Sequence, residues 1–288
     1  MSDTTQRKCL VCNADLMRPA KNYDRLLECD ACGFITADIS ITKEESEALY
    51  GKDYFHGKEY SDYTRDKDIL QKNFSHRLKT IKKFMQESHL SLLEIGCAYG
   101  FFLDIAKSSF KNVKGIDISA DAAKYAAKVF KADAKAGDFL EMDTKPYDAC
   151  CMWDTIEHLC EPERFVEKIS NEISQGGILA ITTSDIGSLN AKLRGKNWRQ
   201  IHPPTHLHYF SVKTLKKLLD RYGFKTLHIS HPGNLVNVET ALYTMLCLKR
   251  NKTELYERVI KIFRKLRLTK LNISVNFYDF MFIIAKKV

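Results

Sequence analysis

Three groups of residues in this chain have the types and spacing that chemistry requires. The first is cysteine: Cys9 and Cys12, then Cys29 and Cys32, form two C-x-x-C pairs with sixteen residues between them. Thiolates at this spacing can close tetrahedrally around one ion, each pair making a tight knuckle. Gly33, directly after Cys32, suits the backbone reversal beneath the metal. Four protein ligands fill the coordination shell, so the expected ion is a structural Zn2+. A redox C-x-x-C would need a βαβ context that this segment lacks. The second group is acidic: Glu94 in "LLEIGCAYG", Asp117 in "VKGIDIS" and Asp138 in "AGDF", each tied to a short apolar run. The third is imidazole: His158 in "WDTIEHL", and His202, His206 and His208 within seven residues around Pro203-Pro204.

The acids flank a glycine turn, Gly96-x-x-x-Gly100, between a buried-strand pattern and the start of a helix. The middle glycine of a dinucleotide fingerprint is missing, since position 98 is alanine, and no Gly-Lys-Ser/Thr ending marks a phosphate loop. Glu94, two residues before the first glycine, would repel a pyrophosphate and suits a cation. S-adenosylmethionine is such a ligand, with a sulfonium, an α-ammonium and no phosphate. Asp117, with Ile118 beside it, closes the next strand, where a carboxylate can accept from both ribose hydroxyls. Asp138 follows the third strand, positioned for an adenine amino group, with Phe139 against the ring.

The elements that must position these residues alternate. "SLLEIGC", "FLDIAKSSF", "VKGIDIS", "DAAKYAAKVF", "YDACCMWD", "PERFVEKISNEI" and "GGILAITTS" switch between short apolar runs and amphipathic stretches, the pattern of βαβ units and a parallel sheet. Ahead of them, Ile69, Phe74, Leu78, Ile81 and Phe84 recur at helical spacing. "FSVKTLKKLLDRYGF" reads as a helix capped by Ser211 and stopped at Gly223.

With "LLEIGCAYG", "VKGIDIS", "AGDF", "YDACCMWDTIEHL" and "GGILAITTSD" in place, the chain resembles the class I S-adenosylmethionine-dependent methyltransferases, over roughly residues 70 to 230 and again in the last strand. The resemblance implies an α/β fold: a doubly wound, seven-stranded, mostly parallel sheet, Rossmann-like, with one antiparallel strand at the edge. "FKTLHIS" and "FYDFMFIIAKK" would be its last two strands. It implies that Glu94, Gly96, Cys97 and Gly100 form the methionine-side loop, and that Trp153 and Asp154 line the pocket floor. The histidine loop resembles a segment of small-molecule and sugar methyltransferases that carry an N-terminal zinc ribbon, including proteins tied to surface-polysaccharide biosynthesis. His206 is the expected general base or acceptor contact, with His158 its competitor, since a histidine is near the right pKa to take an alcohol's proton.

The expected division is a zinc ribbon over 1–40, an aromatic-rich connector or lid over 41–68, and a methyltransferase domain over 69–288 with a basic helical insertion at about 235–272. The net charge of +9 is concentrated there: between Lys249 and Lys270 stand nine Lys/Arg and two Asp/Glu. In "LYERVIKIFRKLRL", Leu255, Val259, Ile262 and Leu266 fall on one helical face, with Arg258, Lys261, Arg264, Lys265 and Arg267 over much of the remainder. Such a helix could pack on the domain, rest on an anionic membrane surface, or hold a phosphorylated carrier or nucleic acid. A polar N-terminus, no long apolar run and cysteines spaced for metal fit a cytoplasmic protein. The favoured function is O-methylation of a sugar, glycan or other small acceptor. The alternatives are a macromolecule such as RNA, disfavoured because "WDTIEH" stands where an Asn-Pro-Pro-Tyr-like motif would attack a base amine, and a silent binding protein, disfavoured by the intact cofactor loop.

Overall fold

The computed structural model describes residues 8–39, 41–42, 45, 64–243, 246, 252–266, 268–269 and 271–288. The chain opens with three short strands, β1 (Met17–Pro19), β2 (Leu26–Cys29) and β3 (Ile35–Ala37). An alternating series follows: α1 (Lys67–Lys82), β4 (Ser91–Ile95), α2 (Phe101–Ala106), β5 (Asn112–Asp117), α3 (Ala120–Phe130), β6 (Asp133–Ala136), β7 (Tyr147–Trp153), α4 (Pro162–Glu172) and β8 (Ile173–Ser184). Beyond it lie α5 (Leu189–Arg194), β9 (His208–Tyr209), α6 (Val212–Arg221), β10 (Phe224–Ser230), β11 (Asn234–Asn237), α7 (Val238–Tyr243), α8 (Thr253–Lys265), β12 (Asn272–Val275) and β13 (Phe280–Lys287). The aromatic-rich connector falls mostly outside the described residues. No helix among the described residues is long and apolar enough to cross a membrane.

The main sheet has the order β10-β13-β8-β7-β4-β5-β6. β4 pairs in parallel with both β5 and β7, and the chain leaves β4 toward one edge before returning through β7 toward the other. That reversal opens a crevice beyond the carboxyl ends of β4 and β7, where α/β sheets bind ligands. The antiparallel strand is not at the edge, as the resemblance suggested. β13 runs antiparallel between β8 and β10. Burial accounts for the placement: "FMFIIA" is apolar on both faces and belongs inside the sheet, whereas β10 buries only Phe224, alternates exposed and part-buried residues after it, and can sit at a wetted edge.

The capped helix after the histidine loop is α6. Ser211 and Thr214 form a reciprocal capping box at its start, and Gly223, at φ +75°, follows its end. The basic insertion differs from its sequence pattern. In α8 the buried side is Tyr256 and Ile260, with Leu246 packed on them, while Leu255, Ile262 and Leu266 are exposed. The insertion is anchored by its strands: β11 pairs with β12, and Asn73 of α1 bonds both backbone groups of Leu235, donating at 2.9 Å and accepting at 2.8 Å.

The N-terminal ribbon is cemented to the main domain. β9 adds to β3 as the fourth strand of the small sheet, with Ile35 opposite Tyr209 and Thr36 opposite His208. The Thr36 hydroxyl donates to the Leu207 carbonyl at 3.1 Å and lies 3.0 Å from His208 Nδ1. Phe34 is fully buried and packs 5.1 Å from the Phe210 ring. A segment this small gains much of its apolar burial from such a neighbour.

Candidate active site

A cavity of about 410 Å³ occupies the crevice beyond β4 and β7. Gly96, Ala98, Asp117, Ile118, Asp138, Phe139, Trp153, Asp154 and His158 are among the residues that line it. Leu70, Asn73, Phe74 and Arg77 of α1, with Asn234, Leu235 and Val236 of β11, line it too. The supposed insertion is therefore part of the site.

The turn is shaped by close approach. Gly96 has φ +76°, and a Cβ there would fall 2.6 Å from Thr155 Oγ1. Gly100, at φ +77°, faces the Cβ of Ala126 in α3, which an added Cβ would meet at 2.7 Å. Between them the Ala98 N–H donates to Asp117 Oδ2 at 2.7 Å, while the Ser119 N–H donates to Oδ1 at 2.8 Å. Asp117 thus clamps the turn to the end of β5. Burial raises its carboxyl above the ordinary range, and the two amide donors hold it back.

Seven of the ten residues expected to contact a cofactor line this cavity: Gly96, Asp117, Ile118, Asp138, Phe139, Trp153 and Asp154. Glu94, Cys97 and Gly100 do not. Glu94 is 2% exposed and lies beneath the turn, where burial and then Asp117 raise its pKa while Arg77 opposes them. Its Oε2 has no hydrogen-bond partner among the described residues. The Cys97 thiol points into the sheet, 2.8 Å from where a Cβ on Gly115 would stand, and Gly100 serves the packing of α3. Asp138 Oδ1 accepts the Leu140 N–H at 2.9 Å, and the Phe139 ring packs 5.5 Å from Phe165.

Arg77 was not singled out in the sequence, because an arginine on an amphipathic helix reads as its solvated face. It is 9% exposed. Its guanidinium lies 5.4 Å from the Phe74 ring centroid and 5.3 Å from that of Trp153, and 3.7 Å from Asp154 Oδ2. Asp154 itself adopts φ +51° and accepts from the Thr182 hydroxyl at 2.9 Å. A non-glycine residue held in that region marks a site whose surroundings dictate its backbone.

The histidines separate. His158 lines the cavity; His206, the favoured base from sequence, is 7% exposed and sits behind it, with ring centroids 4.6 Å apart. His158 Nδ1 is 2.8 Å from the Thr205 carbonyl and His206 Nδ1 is 2.9 Å from the Gln200 carbonyl. The His202 ring lies 3.8 Å from that of His206, tilted by 40°, and His208 belongs to the ribbon contact. The Pro203-Pro204 pair stands in a turn. Burial lowers the pKa of His158, and lowers that of His206 further with help from His158 and His202. Beside them, burial and then Asp154 push the Glu157 carboxyl up to about 8.

The four ribbon cysteines gather as their spacing predicts. Cys9 Sγ lies 3.5 Å from Cys32 Sγ and Cys12 Sγ 3.6 Å from Cys29 Sγ, and all four sulfurs fall within 4.8 Å of one another. Bonds of about 2.3 Å to one tetrahedral ion call for sulfurs roughly this far apart. Both knuckles close alike: the Asn13 N–H donates to the Cys9 carbonyl at 2.8 Å, and the Gly33 N–H to that of Cys29 at 2.7 Å. The donor set fits zinc.

Residues 67–229, more than half of the chain, match the family described as Methyltransferase domain. The chain is 31% identical over 113 residues to the mitochondrial ubiquinone biosynthesis O-methyltransferase of Candida albicans, covering 35% of this chain and 34% of that one. It is 25% identical over 146 residues to EEF1A lysine methyltransferase 2 of Homo sapiens, covering 47% and 61% respectively. In both cases the match spans less than two thirds of the relative. Magnesium protoporphyrin IX methyltransferase of Synechocystis superposes with a TM-score of 0.54 over 84% of this chain and all of its own, at 14% identity, a likeness of fold.

Proposed function

The chain belongs to the methyltransferase domain family, which takes its methyl group from S-adenosylmethionine, and from that premise we propose that it methylates an oxygen of a small or carbohydrate-type acceptor. The observation that carries this reading is the presence of His158 in the wall of the same cavity as Asp117, Asp138 and Trp153. An acceptor hydroxyl brought to the donor methyl there meets an imidazole that burial keeps neutral.

In this proposal Asp117 takes the ribose hydroxyls, Asp138 and Phe139 the adenine, and the turn from Gly96 to Ala98 the methionine end. Trp153, Asp154 and Arg77 shape the floor around the sulfonium. The acceptor oxygen attacks the methyl carbon as the carbon–sulfur bond breaks with its electron pair going to sulfur. Activation of the leaving proton falls to the His158–His206 pair. The protein's remaining contribution is alignment and exclusion of water, which α1 and β11 provide by covering the cavity. That cover supports a small acceptor over a macromolecular one, while the relatives carry names of both kinds.

The four cysteines are proposed to hold a structural Zn2+. Through β3 and β9 the ribbon would brace the loop that carries His206. The exposed Leu255, Ile262 and Leu266 beside Arg258, Lys261 and Lys265 support peripheral contact of α8 with an anionic membrane surface, on a protein of a reducing, cytoplasmic compartment.

The test is a transfer screen with methyl-labelled S-adenosylmethionine over nucleotide sugars, glycans, phenols and tRNA. Label in a hydroxyl-bearing small molecule is the expected result. Label in tRNA alone would overturn the acceptor class.

A further inference from the structure

Behind the cavity wall stands a group that the cofactor does not need. Glu157, His158 and His206 present one carboxylate oxygen and two ring nitrogens, all within 4.8 Å of one another. We propose that these three residues bind a divalent first-row transition ion, a second metal site separate from the cysteine cluster.

Four observations carry the proposal. First, a carboxyl group is held at 1% exposure beside two imidazoles, and its Oε2 accepts no hydrogen bond from any described residue. A carboxyl oxygen left without a partner in the interior is destabilising, and a cation removes that penalty. Secondly, each imidazole is oriented by its other nitrogen: His158 Nδ1 is placed on the Thr205 carbonyl and His206 Nδ1 on the Gln200 carbonyl. Metal-binding histidines are ordinarily held by a hydrogen bond of this kind. Thirdly, two independent segments converge. Glu157 and His158 follow β7, whereas His206 comes from the loop that β9 ties to the ribbon, and the Leu207 N–H donates to the Glu157 carbonyl at 2.9 Å to lock the two together. Fourthly, ligand atoms around one ion lie roughly 3–4 Å apart at bonds of about 2.1 Å, so the present spacing needs only a small inward adjustment.

Two imidazoles and a carboxylate select zinc, manganese, iron or cobalt over magnesium or calcium, which prefer all-oxygen shells. Three protein ligands also leave coordination positions open. His158 is shared by the triad and the cavity wall, so the ion stands at the cavity's edge. What it does there rests on the methyltransferase proposal: the acceptor oxygen would bind the ion, lose its proton to water, and attack the methyl carbon as the carbon–sulfur bond breaks toward sulfur. The histidines then act through the metal instead of as free bases.

The experiment uses the full chain. Mn2+ is titrated in and the free ion read by electron paramagnetic resonance, with metal content measured on the same samples. Manganese is a poor match for four thiolates and so reports this site alone. One Mn2+ per chain is expected, with Glu157→Gln and His206→Asn each weakening it at least 10-fold while S-adenosylmethionine binding stays intact. That retained binding certifies the fold, and His158→Asn provides a third variant. No Mn2+ uptake by the wild-type chain, or equal uptake by the variants, overturns the site. Full methyl transfer by a chain shown to hold no ion there would overturn the metal's role and leave the methyltransferase proposal standing. Metal bound without any methyl transfer would do the reverse.

Discussion

At the scale of single residues, the burden falls on Asp117 and Gly96. Asp117 joins two tasks, because its oxygens already hold the amides of Ala98 and Ser119 and are proposed to receive ribose as well. Replacing it by alanine removes both the ligand contact and the clamp on the turn. S-Adenosylmethionine affinity measured by calorimetry should fall at least 10-fold, about 1.4 kcal/mol or more. Gly96→Ala attacks the same turn by geometry: the new Cβ collides with Thr155, and the backbone stays at φ +76°. A loss of about 1–3 kcal/mol is expected, visible as a lower Tm. Among these residues the acids and glycines were legible from sequence because charge and turn chemistry are local. The position of Glu94 beneath the turn was not, since which way a strand residue faces depends on what packs below it. Arg77 was invisible for a related reason: its burial depends on distant partners, Trp153, Asp154 and Thr182 at the strand ends and Asn234 of β11.

At the scale of elements, two connections decide how the site is held. The first is the pairing of β3 with β9, which fixes the loop carrying His206 to the ribbon. Thr36→Val removes the hydroxyl that serves both the Leu207 carbonyl, which keeps the Ala37 N–H, and His208 Nδ1. A cost of about 0.5–1.5 kcal/mol per lost hydrogen bond should appear in thermal melts, with a fall in methyl transfer as the loop loosens. The second is α8. Its sequence pattern put Leu255, Val259, Ile262 and Leu266 on one apolar face with packing and surface contact both open, but the side chains that pack are Tyr256 and Ile260, against Leu242, Tyr243 and Leu246. Periodicity identifies an apolar stripe without saying which neighbour covers it. With three large apolar side chains left exposed among lysines and arginines, the full chain should sediment with anionic vesicles. Lys261→Glu combined with Lys265→Glu should abolish that, and raised salt should weaken it.

At the scale of the whole molecule, a mostly parallel sheet supplies a crevice, which the inserted β11 helps to line while the ribbon braces the histidine loop behind it. The ribbon reaches the site through β9, and the insertion reaches it through β11. The βαβ alternation made the sheet legible, while the contacts made by the additions were not, since each depends on residues more than 150 positions apart, such as Asn73 with Leu235 or Thr36 with His208. Removing metal from the cysteines should therefore act at a distance. Zinc loss on chelation should release β3, lower the Tm of the whole chain and depress transfer, all readable in one melt with matched metal analysis. The central claim, that the crevice binds S-adenosylmethionine between Asp117, Asp138 and the Gly96 turn, is tested most directly by calorimetric titration of the wild-type chain beside Asp117→Ala. The account predicts one S-adenosylmethionine per wild-type chain, displaced by S-adenosylhomocysteine, with binding lost or weakened at least 10-fold in the variant. Absence of binding to the wild-type chain, or equal binding by both, would contradict it.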